Sequence, residues 1–231
     1  MPINLKKLLA VGRRKLGLQG KVEFRKSKGS QNILATSSTS LANHIISYSD
    51  ASGLSSIDVF HELCRARLQE LGFKSAETAA LTAIRDCCKD DPKYIFDANS
   101  AAVIVSEVYS NWLLFNHFEE SETQREEIIS RFQSTDALTS LYTRMGFWGI
   151  GGVAYYRVSS EWAGKEFPWG QVEKALKRAP EAQKILQEFE KVWSLLRELP
   201  KPKNEEFTES EQIQLVSVIV KLFSAKTGIE C

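Results

Sequence analysis

At positions 61 and 62 a histidine is followed directly by a glutamate, inside the stretch DVFHELCRARLQELGF (58–73). Apolar residues recur there at helical spacing, and on a helix residues four apart share a face. Two histidines so spaced can hold a divalent cation, and a glutamate beside the first can act as general base on a metal-bound water. Here His61 supplies a first donor and Glu62 a base, but the residue one turn on is Arg65. A guanidinium has no lone pair to give and stays protonated in proteins. A second carboxylate, Glu107, sits in the middle of the apolar run NSAAVIVSEVYSNWLLFNH (99–117). Buried there, it needs a partner. Arg65 answers both requirements. Its planar fork can pair with Glu107 across a helix interface and with Glu62 three residues back on its own helix. The sequence therefore predicts a fixed cation, Arg65, where a metal would otherwise sit.

The elements that must position these groups follow from periodicity and punctuation. A helix is predicted over 3–17, then strands near 21–26, 31–36 and 43–48; the last, NHIISYS, suits a sheet edge or near-edge position. Ser55 with Asp58 forms a capping box, so the His-Glu helix starts near Ser56, and Gly72 ends it. Further helices are expected at 75–89, 99–118, 122–133 and 136–145. A Gly- and aromatic-rich loop is expected at 146–170, then helices at about 170–198 and 208–225, separated by PKPKNEE. Thr208 with Glu211 is a second capping box. The order, a small strand region near the N-terminus and then a mostly helical chain, is that of an α+β protein. One domain is expected over 1–231, with a core at about 1–120 and a helical half at about 121–231.

A strand carrying Ile-Ile, a short polar loop, a capped helix with Val-Phe-His-Glu-Leu and a later helix with a central glutamate resemble the gluzincin-type zinc metallopeptidases. The resemblance covers roughly residues 30–118. It implies a zincin-like core, His61 as first zinc ligand, Glu62 as general base and Glu107 as third ligand. The H-E-x-x-H motif is degenerate, because HELCR ends in Arg65. Cys64 is one residue off the ligand face, and His117 lies nearly three turns beyond Glu107, roughly 15 Å along the same helix. The resemblance with its departure implies a catalytically silent relative kept as a binding or regulatory module. No cofactor is then expected, with Zn2+ as the alternative. Two other readings stand beside it: an active metallohydrolase using an atypical ligand set, and an interaction protein without zincin ancestry.

The remaining features narrow the field. Thirty Lys and Arg against 29 Asp and Glu give a net charge of +1, which offers nucleic acid no electrostatic handle. No apolar run approaches the roughly 20 residues of a membrane span. The basic N-terminus reads as an amphipathic helix, not a signal peptide. The four cysteines, Cys64, Cys87, Cys88 and Cys231, include no C-x-x-C pair. Read as scattered thiols, with Cys64 and Cys87 as buried small hydrophobes, they point to a cytoplasmic protein. GFWGIGG lacks the spacing of a phosphate loop, and no G-x-S-x-G elbow is present. His44 reads as structural. Trp148, Tyr155 and Tyr156 are candidates for a groove that takes a peptide or protein partner.

Overall fold

Helix α1 (Leu5–Leu16) begins at Asn4, whose side chain accepts from Lys7 N, and ends at Gly17 in the left-handed region at φ 66°. The computed structural model describes residues 4–26, 34–40, 43–49, 54–203 and 205–231. Strands β1 (Lys21–Lys26), β2 (Leu34–Ser40) and β3 (Asn43–Tyr48) form a mixed sheet in the order β1-β3-β2. β3 pairs in parallel with β1 and antiparallel with β2. It is therefore the central strand of three, so of the edge or near-edge positions that its sequence suited the edge is excluded. Polar neighbours around Ile45-Ile46 signal one wet face, and one wet face is equally compatible with a strand paired on both sides. His44 and Ile46 lie two apart on the buried face. The second strand runs over 34–40; residues 31–33 of the expected span lie outside the described residues.

Helix α2 (Ser56–Glu70) starts with the expected capping box, Ser55 and Asp58 exchanging both hydrogen bonds. Gly72, at φ 94°, turns the chain directly into α3 (Phe73–Cys87). After a short turn comes α4 (Ile95–His117), which is apolar on nearly every side and so runs through the interior. Then follow α5 (Ser121–Phe132), α6 (Thr135–Met145), α7 (Phe147–Trp162), α8 (Trp169–Leu176), α9 (Ala182–Leu196) and α10 (Glu209–Thr227).

Two sequence expectations fail here. The segment 146–170 is largely helix α7, not a loop. Glycine inside a helix costs about 1 kcal/mol relative to alanine, and packing overrides that cost. A Cβ at Gly149 would lie 2.8 Å from the Leu141 carbonyl oxygen, and one at Gly151 would collide with the Ile104 side chain. The glycines let α7 approach α6 and α4 closely. The expected long helix at 170–198 is broken between α8 and α9. Pro180 lacks an N–H and pushes its predecessor out of the helical region, and Glu181 follows it at φ 59°.

The core has two parts. One gathers Leu16, Ile46, Val59, Leu63 and Leu113, joining α1 and the sheet to the start of α2 and the end of α4. The other packs Val105, Val153, Val192 and Val218 from α4, α7, α9 and α10. Helices α2 and α4 contribute to both.

Cys87 is bonded to Cys231, with Cα atoms 5.5 Å apart and 144 residues between them, while Cys64 and Cys88 are free. This corrects the reading of Cys87 as a buried thiol and removes thiol scatter as an argument for a reducing compartment. The pairing exists because α10 packs along α3, a neighbourhood that local spacing cannot reveal. No helix among the described residues is long and apolar enough to cross a membrane. Under denaturing, non-reducing conditions a thiol reagent is expected to label two cysteines per chain. Labelling of all four without reductant would contradict the bond.

Candidate functional site

The middle of α2 carries His61, Glu62 and Arg65, and α4 crosses beside it with Glu107 facing them. Glu62 and Glu107 are both buried. Arg65 NH2 donates to Glu107 Oε1 in a close contact, and NH1 donates to Glu62 Oε1 at 3.3 Å. His61 Nε2 lies 3.1 Å from Glu107 Oε2, and its Nδ1 lies 3.6 Å from Glu62 Oε1. Asn111, one turn beyond Glu107, donates its side-chain N–H to Glu107 Oε2 at 3.2 Å. The expected Arg65–Glu107 pair is present, and two cationic side chains interlock with two acidic ones.

The electrostatics follow from this geometry. Burial alone would lower the His61 pKa. The charge of Glu107 and hydrogen bonds to Glu107 and Glu62 outweigh burial and the repulsion of Arg65, and raise it to about 9. Burial alone would raise the Glu107 pKa, but His61 and then Arg65 pull it down to about 2. His61 is therefore protonated at neutral pH, with both ring nitrogens acting as donors.

A zinc ion does not fit this set of side chains. His61 is itself engaged through both ring nitrogens, with Glu107 at 3.1 Å and Glu62 at 3.6 Å. The third candidate ligand, Glu107, is engaged by Arg65, His61 and Asn111. The second position holds a guanidinium. Cys64 is wholly buried, and His117 sits in the last turn of α4. His44 belongs elsewhere, buried against Glu70 at 3.3 Å. Among the described residues, three potential donors converge at Cys87, Cys88 and Cys231.

Beside the ionic cluster opens a cavity of about 700 Å³. Arg65 and Glu107 line it, as do Trp148, Tyr155 and Tyr156 from α7. The aromatic residues singled out in the sequence and the charged ones thus meet at one site. Trp148 is fixed there by donating its indole N–H to Asp97 Oδ1 at 2.6 Å. Burial first, then the nearby Glu107 charge, raise the pKa of both tyrosines, so their phenols stay neutral. Phe96, Val103 and Met145, exposed large apolar side chains, also line the cavity.

Sequence reasoning missed Asn111, although its i+4 relation to Glu107 was visible. It also missed Glu70, which accepts from the backbone N–H groups of Gln19 and Gly20 and from Arg67 NH1 at 3.0 Å. That carboxylate ties α2 to the turn before β1. Its signal was a glutamate seven residues beyond Leu63, on the core face of α2.

Comparison of the chain with known protein families, with curated proteins and with solved structures returned no match.

A pH dependence follows. The raised His61 pKa contributes stability that is complete below about 6.5 and lost as pH rises through about 9. The lowered Glu107 pKa contributes stability present above about 4.5 and lost as pH falls through about 2. Urea unfolding should therefore show a loss on the order of 2 kcal/mol between pH 6 and pH 9.5. The His61→Gln variant should lose much less over that range. Identical pH profiles for wild type and variant would contradict the assignment.

Proposed function

We propose that the chain is a zincin-related binding module whose metal site has been replaced by an ion-pair lock, and that it takes an apolar peptide segment in the cavity beside that lock. One observation carries the reading. Arg65 occupies the position of the second ligand and is paired with both Glu62 and Glu107, the groups that would serve as base and third ligand in a metallopeptidase. A base tied to a guanidinium and a ligand tied to three donors are not free to activate water. What the site retains is a cavity within the usual 300–1,000 Å³ of ligand pockets. Its aromatic walls and exposed apolar rim suit side chains of a peptide. The guanidinium and carboxylate at its edge supply the few polar groups that orient a bound backbone.

Elemental analysis tests this reading, on protein purified without chelator or a histidine tag, with Arg65→His alongside. Wild type should carry less than about 0.1 zinc per chain, and Arg65→His should approach one, because the variant restores a three-ligand set with His61 and Glu107. Stoichiometric zinc in wild type would overturn the proposal in favour of an active metallohydrolase. A zinc-free Arg65→His would overturn the zincin relation and leave an interaction protein with an ordinary charged helix.

A further inference from the structure

The far end of α3 holds a different set of chemically active side chains. Cys87 and Cys88 are adjacent at the end of the helix, where Cys88 N donates to Ile84 O at 2.9 Å and Asp90 N to Arg85 O at 3.1 Å. The vicinal pair is thus held on hydrogen-bonded backbone. Cys231 is brought beside it from the segment after α10. The three Sγ atoms lie within 4.8 Å of one another. Cys88 also lines a cavity of about 220 Å³, which leaves an approach to the cluster from solvent.

We propose that Cys87, Cys88 and Cys231 form a three-thiolate site for a soft monovalent cation of the copper(I) class, and that the Cys87–Cys231 disulfide is its oxidised, metal-free state. Thiolates select soft ions, copper(I) and zinc foremost. Structural zinc takes four ligands, however, and three sulfurs match trigonal copper(I) better. With metal–sulfur bonds of about 2.3 Å, a trigonal arrangement needs sulfurs roughly 4 Å apart; once the disulfide is reduced, the Cys87 and Cys231 sulfurs must separate from bonding distance, while Cys88 Sγ already lies within 4.8 Å of both. The chemistry balances. A phosphine or dithiol reductant delivers two electrons, two protons convert the disulfide to two thiols, and the reductant leaves oxidised. One cation then binds three thiols with release of three protons, and the metal changes no oxidation state.

The experiment uses the whole chain, reduced with a phosphine, freed of reductant without oxygen, and titrated with copper(I) against bicinchoninate. One ion per chain is expected. Cys88→Ser and Cys231→Ser should each weaken binding at least about tenfold, as should leaving the disulfide intact. Circular dichroism checks that each variant is folded. X-ray absorption of the loaded wild type should show three sulfur neighbours at about 2.3 Å. Wild-type affinity in either serine variant, equal binding by the oxidised chain, or fewer than three sulfur neighbours would overturn the proposal.

Discussion

A carboxylate buried in the middle of an apolar helix is the constraint on which this architecture turns. Glu107 lies on α4 where the two parts of the core meet, with Val105 and Val108 on one side and Leu113 on the other. An isolated buried carboxylate is costly enough to neutralise itself or demand partners. Three are provided: Arg65 and His61 from α2, and Asn111 from α4 itself. The cost of burying Glu107 thereby becomes a specific demand on how α2 docks against α4. Sliding α2 by one residue would rotate Arg65 and His61 off that face and leave the carboxylate with Asn111 but without a cation. The lock positions the helices, and the same helices carry the sheet contacts and the cavity wall.

The features read well from sequence were those fixed by the chemistry of particular side chains. Ser55–Asp58 and Thr208–Glu211 are complete capping boxes, so the starts of α2 and α10 were legible. The Arg65–Glu107 pair was legible because each residue created a need that the other answers. Three of the misses have another cause, since each depends on a packed neighbour that local spacing does not reveal. Gly149 and Gly151 look like loop residues until Leu141 and Ile104 are seen pressed against them. Whether β3 was an edge or a near-edge strand stayed open until β1 and β2 were found paired on its two sides. Cys87 looked like a buried free thiol until α10 delivered Cys231, 144 residues away.

The second carboxylate network, at Glu70, shows the same logic. Glu70 gathers backbone N–H groups, Arg67 and His44 at the other end of α2. The charged groups of the Glu107 cluster also line the space walled by Trp148, Tyr155 and Tyr156. Satisfied polar groups beside apolar walls are what a binding site requires.

The most direct test of the central claim is a double-mutant cycle at Arg65 and Glu107, measured by urea unfolding near pH 6. Arg65→Met, Glu107→Gln and the double variant would be compared with wild type. If Arg65 is the cation that permits Glu107 to be buried, the two substitutions should couple by about 2 kcal/mol, with the double variant less destabilised than the sum of the singles. Additive effects, within about 0.5 kcal/mol, would mean that the guanidinium does not stand in for a metal and that the interface is held by its apolar contacts alone.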